Sequence, residues 1–98
     1  MPNKERYARN KAYNRESAWR KVGIKLTYHQ YLALVEKQGG VCAICGGDGG
    51  SYNLNVDHDH DTGRIRGLLC SNCNAALGSF QDSEILLRLA IAYLRKSR

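Results

Sequence analysis

The sequence predicts a small α+β domain held together by something besides its apolar core, and three observations carry that prediction. The chain has 98 residues, and a domain of that size buries too small a fraction of its surface to be comfortably stable unaided. The spacing of its apolar residues changes from helical to alternating and back to helical along the chain. Four cysteines stand in two Cys-x-x-Cys pairs, Cys42 with Cys45 and Cys70 with Cys73.

Residues 4–22 contain no Gly or Pro, and Tyr7, Ala8, Ala12, Ala18, Trp19 and Val22 fall in one stripe about 140° wide at helical spacing. This predicts an amphipathic helix with a basic outer face, ended by Gly23. Thr27-Tyr-His-Gln30 has the form of a capping box. It opens a second helix through Leu32, Leu34 and Val35, which stops at Gly39-Gly40 and leaves His29 exposed in its first turn. From Val41 the pattern reads as a cysteine knuckle, a glycine-rich loop and a short strand carrying Leu54 and Val56. Asp61-Thr-Gly-Arg64 is a turn, and Ile65 to Leu69 form the return strand, with Arg64 and Arg66 on one face. The second cysteine pair leads into a short helix from Asn74 that Gly78 ends.

The last helix, Asp82 to Arg98, is capped by Asp82 or Ser83. Ile85, Leu86, Leu87, Leu89, Ala90, Ile91, Tyr93 and Leu94 cover most of its circumference. A helix so apolar needs contacts on more than one side. It is either wedged between the core and the N-terminal helices or shared with a second copy in a homodimer.

The net charge is +6, and its placement is informative. Residues 1–26 hold eight basic side chains (Lys4, Arg6, Arg9, Lys11, Arg15, Arg20, Lys21 and Lys25) against two acidic ones, while residues 27–98 hold seven of each. The chain therefore divides into a basic N-terminal helical extension, 1–26, and a cysteine-stapled domain, 27–98. Such a block is the footprint of a nucleic-acid partner, through phosphate neutralisation. A solubilising charged helix would have the same composition. No signal-peptide pattern opens the chain, and no apolar run reaches the roughly 20 residues that span a bilayer. The expectation is a soluble intracellular protein with no membrane partner and with reduced thiols.

Reduced cysteines in duplicate chelating pairs point to zinc. The pairs are 24 residues apart, slightly beyond the usual spacing of a compact four-cysteine site. Two residues between thiolates let one tight turn direct both sulfurs at one ion, and four thiolates close the tetrahedron, which makes the site structural. The competing readings are a redox Cys-x-x-Cys, which needs no duplicate, and free buried cysteines.

Between the pairs, Asp57 to Asp61 hold three aspartates and two histidines. A calcium-loop reading fails, because the glycine falls at Gly63, one place late, and Leu68 stands where a bidentate glutamate is required. A polar hairpin strand with His58 and His60 on one side is the plain alternative. The knuckle, hairpin and short helix would nevertheless bring Asp57, His58 and Asn74 together. On a regular strand Asp57 and His58 point to opposite faces, so an irregularity is expected between them. Asp59 is expected to face outward into solvent.

The segments GGVCAICGG, NVDHDHDTGRIRGLLCSNCNAALG and LLRLAIAYL, in that order from Gly39 to Leu94, resemble the recombination endonuclease VII family of phage HNH endonucleases. GIKLTYHQYLALVEKQGG is also similar to the helix preceding the zinc knuckle in such proteins. The resemblance implies a zinc-stapled ββα-metal core, of HNH and treble-clef-like type, with N-terminal helices and one C-terminal helix. It implies that Cys42, Cys45, Cys70 and Cys73 hold structural zinc and that Asp57 and Asn74 ligate a catalytic divalent ion, magnesium or manganese. It further implies that His58 is the general base against a DNA phosphodiester and that His60 orients or neutralises the phosphate. Arg64 and Arg66 would flank the scissile strand, or be ordinary strand-surface charge. A phage origin would place the protein in the host cytoplasm.

Family members have substantial helical structure beyond the nuclease core, used to dimerise and to grip branched DNA. Here a single helix follows. Metal-dependent nicking or double-strand cleavage of DNA is accordingly a firmer expectation than action on branched DNA. The alternative is a non-catalytic zinc module that binds nucleic acid and uses the Asp-His run to stabilise its hairpin.

Overall fold

A computed structural model describes the backbone over residues 4–48 and 53–96, and side chains within that span from residue 13 onward. The elements run α1 (Lys4–Lys21), α2 (Tyr28–Lys37), β1 (Asn55–His58), β2 (Ile65–Leu69), α3 (Ser71–Ser79) and α4 (Glu84–Lys96). The small α+β class is as the sequence predicts.

α1 ends where Gly23 adopts a left-handed φ of 84°, a conformation glycine takes without steric penalty. The chain then turns into α2 through the expected capping box: Thr27 Oγ1 accepts from Gln30 N–H at 3.1 Å, and Gln30 Oε1 accepts from Thr27 N–H at 2.9 Å. Glu16 accepts from the Tyr28 N–H at 2.6 Å, so α1 also satisfies one of the free donors at the start of α2. Of the stripe expected on α1, Trp19 is buried. Val22 is 61 % exposed, because it lies beyond the last helical turn, and Tyr7, Ala8 and Ala12 lie outside the described side chains.

The core gathers Trp19 and Ile24 from the N-terminal segment, Tyr31 and Val35 from α2, Cys42 from the knuckle, and Leu54, Val56, Leu68 and Leu69 from the hairpin. Trp19 and Tyr31 pack with ring centroids 5.4 Å apart. Arg15 lies over the Tyr31 ring at 4.4 Å and donates to the Leu54 carbonyl at 3.1 Å, while the Tyr31 hydroxyl donates to the same carbonyl at 2.8 Å. One backbone oxygen thus ties α1, α2 and the start of the hairpin.

β1 and β2 form an antiparallel two-stranded sheet. A two-stranded sheet is marginal alone, and α3 packs against it. Gln38, at the C-cap of α2, bonds to β2 much as a third strand would. Its amide donates to the carbonyls of Val41 and Leu68 and accepts from Leu68 N–H at 2.9 Å.

α4 departs from one of the two arrangements expected of it. None of its described residues is buried, and Ile85, Leu89, Tyr93 and Leu94 are exposed by 72, 61, 73 and 56 %. Among the described residues it is not wedged between the core and the N-terminal helices.

Candidate active site and metal centre

Two sites are built on the same hairpin. At its base, one sulfur from each of Cys42, Cys45, Cys70 and Cys73 lies within 4.8 Å of every other. A tetrahedron with Zn–S bonds of about 2.3 Å has sulfurs about 3.8 Å apart, and Cys45 Sγ and Cys70 Sγ are 3.7 Å apart. The residues therefore fit zinc. The knuckle is shaped by backbone N–H groups turned onto sulfur, from Ile44 to Cys42 at 3.4 Å and from Gly47 to Cys45 at 3.3 Å. Cys70 Sγ accepts from Cys73 N–H at 3.4 Å and is the N-cap of α3. Burial pushes the Cys42 thiol up, but N–H donors from Cys45, Cys70 and Ile44 outweigh it and bring it down to about 6. Cys73 is pushed up to about 12, first by its hydrogen bond with the Cys70 sulfur and then by burial.

At the far end of the hairpin the ladder is irregular where strand alternation required it. Asp57 pairs with Gly67 and His58 with Ile65, so Arg66 is the extra residue of a bulge opposite the Asp57-His58 step. Bulges re-aim side chains, and Arg66 here meets Asp57. Arg66 Nε donates to Asp57 Oδ2 at 2.7 Å and Nη2 donates to Oδ1 at 3.0 Å, a two-pronged pair. Arg66 Nη2 also donates to Asp82 Oδ2 at 3.2 Å. That carboxylate oxygen lies 3.8 Å from His60 Nε2, and the His58 and His60 rings are 4.7 Å apart. Hydrogen bonding to Asp57 above all, with Asp82 adding to it, holds the guanidinium more firmly protonated than usual. Asp57, Arg66, Asp82, His60 and His58 therefore form one connected cluster.

Asn74 is positioned by α3. Asn55 donates to Ser71 Oγ at 3.2 Å, which sets the start of α3 beside the start of β1. Asp82, past the end of α3, meets Arg66 and so sets that end near Asp57. α3 accordingly runs alongside β1 in the same sense. Asn74, one turn in, shares an open groove of about 530 Å³ with Asn55, Val56, Ser71, Arg15 and Trp19. Among the described residues the lining of that groove includes Val56 but not Asp57, His58 or His60. The helix that bears Asn74 thus packs against β1, and the groove does not join Asn74 to the cluster.

The hairpin turn is held by Asp59, whose Oδ1 accepts from the N–H groups of Asp61 at 2.8 Å and Thr62 at 3.0 Å. The Thr62 N–H first, then that of Asp61, holds its carboxyl below the usual carboxylate range. Asp59 is thus more than an outward-facing solvated residue. Sequence reasoning also missed Asp82, read as one of two capping candidates. Ser83 performs that role, its Oγ accepting from Leu86 N–H at 3.2 Å, which leaves Asp82 to the cluster.

Of the candidate phosphate contacts, Arg20, Lys21, Lys25 and Arg64 are exposed. Arg15 is committed to the Leu54 carbonyl and Arg66 to the two aspartates. Lys4, Arg6, Arg9 and Lys11 lie outside the described side chains.

The pattern of the recombination endonuclease VII family matches residues 16–96. The chain belongs to the recombination endonuclease VII family. It is similar to the Gene 59 protein of Mycobacterium phage D29, 49 % identical over 73 residues that make up 72 % of this chain and 44 % of that protein. It is likewise similar to the Gene 59 protein of Mycobacterium phage L5, 45 % identical over 71 residues, 70 % of this chain and 43 % of that one. The matched segment thus spans less than half the length of these two relatives. Among solved structures the chain is similar to the ββα-Me type II restriction endonuclease Hpy99I, with 36 % identity and a TM-score of 0.55 over 86 % of this chain and 49 % of that one. The fold of this endonuclease VII family chain is thereby of the ββα-Me kind, with the cysteine cluster at its base. No helix among the described residues is long and apolar enough to cross a membrane.

Proposed function

We propose that this chain is a metal-dependent HNH-type endonuclease that hydrolyses DNA phosphodiester bonds. The observation that carries the reading is the bulged hairpin, which gathers Asp57, His58 and His60 beside the helix bearing Asn74. Asp57 and Asn74 offer hard oxygens suited to magnesium or manganese, with magnesium in particular held by few protein groups and several waters. Both Asp57 oxygens accept from Arg66, so a divalent ion there would take the place of the guanidinium. When bound, such an ion stabilises charge on the phosphate and on the departing 3′ oxygen. His58 takes the proton of the attacking water, the general-base task that histidine most often performs. His60, 73 % exposed at its side chain, is open to the phosphate. Arg20, Lys21 and Lys25, with the more N-terminal basic residues, would neutralise backbone phosphates, and Arg64 would flank the scissile strand.

The test is a nicking assay on supercoiled plasmid and on a synthetic four-way junction, in magnesium and in chelator, with His58→Ala alongside. Magnesium-dependent cleavage that is lost in His58→Ala, with zinc content and fold kept, is the expected result, and the preference between substrates decides whether branched DNA is the target. Full activity in His58→Ala would refute the assigned base. A second reading, a non-catalytic zinc module, draws on the closure of Asp57 by Arg66. It predicts DNA retained on a gel with neither substrate cut.

We also infer self-association through α4. Its apolar side is exposed, and Glu84 begins it while Arg95 and Lys96 end it. An antiparallel copy would place acidic and basic ends opposite each other, as suits an isologous dimer.

A further inference from the structure

Arg66 poses a difficulty for the site as read above, because it holds both oxygens of the carboxylate that is to receive a divalent ion. A guanidinium simply expelled into water would leave a salt bridge broken and a cation facing the incoming ion. Asp82 offers a way out. Arg66 Nη2 stands between Asp57 Oδ1 at 3.0 Å and Asp82 Oδ2 at 3.2 Å, so a small rotation exchanges one carboxylate for the other.

The backbone fixes where this side chain stands. Gln81 and Asp82 are consecutive left-handed residues, with φ of 58° and 53°. Neither is glycine, and such residues cost about 1 kcal/mol or more each to hold there. The helix that follows needs no cap from Asp82, since Ser83 supplies it. The left-handed pair closes α3, with Gln81 N–H donating to the Gly78 carbonyl and Asp82 N–H to the Leu77 carbonyl, both at 2.9 Å. The same turn carries the Asp82 carboxylate to within reach of Arg66 and His60.

Resting on the reading of Asp57 as a metal ligand, we propose that Asp82 is a positioning residue whose carboxylate is a second berth for the Arg66 guanidinium, releasing Asp57 to a divalent cation. The Asp57–Arg66 pair is then a latch, and Asp82 the place where the latch rests when open. Arg66 and the metal compete for one carboxylate, and Asp82 sets the terms of that competition through Arg66.

The experiment is titration of the zinc-loaded, DNA-free full-length chain with Mn²⁺ alone, followed by the loss of the free-ion signal in electron paramagnetic resonance. Arg66→Gln should bind Mn²⁺ more tightly than wild type. Asp82→Asn, which tolerates a left-handed φ equally well, should bind it less tightly. Each change should be roughly five- to tenfold, as for charges a few ångströms apart at a partly exposed site. In the Arg66→Gln background, Asp82→Asn should have little further effect. An equal loss in both backgrounds would make Asp82 a ligand in its own right and overturn the proposal. Unchanged affinity in Asp82→Asn, with zinc content and helical signal intact, would reduce Asp82 to a turn residue and overturn it as well. Asp57→Asn is the control for the underlying reading: undiminished Mn²⁺ binding there removes Asp57 as a ligand, and the latch falls with it. Loss in Asp57→Asn without the opposed effects at Arg66 and Asp82 would leave the metal site standing and the latch refuted.

Discussion

Tyr31 shows how much a single buried hydroxyl can organise. It is 1 % exposed and donates to the Leu54 carbonyl, which Arg15 also holds. Tyr31→Phe should cost about 1 kcal/mol at neutral pH, the usual net value of one hydrogen bond, because Arg15 keeps the carbonyl satisfied. Burial raises the phenol above its ordinary pKa of 10.0. The folded state therefore holds this proton more tightly than the unfolded chain does. Its contribution is complete below about pH 10 and is lost as the pH rises through the raised value. Urea denaturation of both proteins in neutral and in strongly alkaline buffer should show the wild-type advantage shrinking in alkali, and a gap that widened there would contradict the assignment. At this scale the sequence was readable in part. The Asp-His run stood out by its composition, with a plain polar hairpin as the alternative, whereas the contact of Asp82 with Arg66 depends on a left-handed turn that no periodicity reveals. Arg66 itself looked like strand-surface charge until the bulge turned it onto Asp57.

The elements are joined by side chains that act as backbone would. Gln38 both donates to and accepts from Leu68, so its amide stands in for a neighbouring strand at the edge of β2. Gln38→Leu leaves the Leu68 N–H without this partner, and a loss of about 2 kcal/mol is expected, measured by urea denaturation. The cysteine cluster works the same way. Cys42 sits in the core, Cys70 caps α3, and the four sulfurs tie knuckle, strand and helix. Chelation of zinc should lower the melting temperature and melt α3, seen as lost helical signal. Because zinc requires thiolates, binding should release protons, and affinity should fall as the pH is lowered. A zinc affinity independent of pH would count against a four-thiolate site. The capping box, the hairpin and the cysteine pairs were legible because each is a local pattern with one physical meaning. Gln38 was not, since a glutamine before two glycines reads only as a helix end.

At the scale of the whole molecule the chain is extended. Its radius of gyration is 16.0 Å and its longest dimension 56 Å, against about 13 Å for the radius of a compact domain of this length. A protruding α4, with its apolar side bare, contributes to this form. Self-association through that side should appear as a dimer in sedimentation at micromolar concentration, and Leu89→Asp should return it to a monomer while leaving zinc content unchanged. A wild-type monomer at that concentration would refute the inference. The apolar residues of α4 were plain in the sequence, but periodicity reports how much of a helix wants covering and is silent on what covers it.

The hairpin that carries Asp57, His58 and His60 lies wholly between the two cysteine pairs. Both ends of that excursion meet at the four clustered sulfurs, so a zinc ion held there would close the segment into a ring. Closing a loop of this length restricts the chain before its strands are paired. With zinc held there the hairpin would form within an already closed loop, so refolding of the hairpin is expected to be faster with zinc present than in chelator.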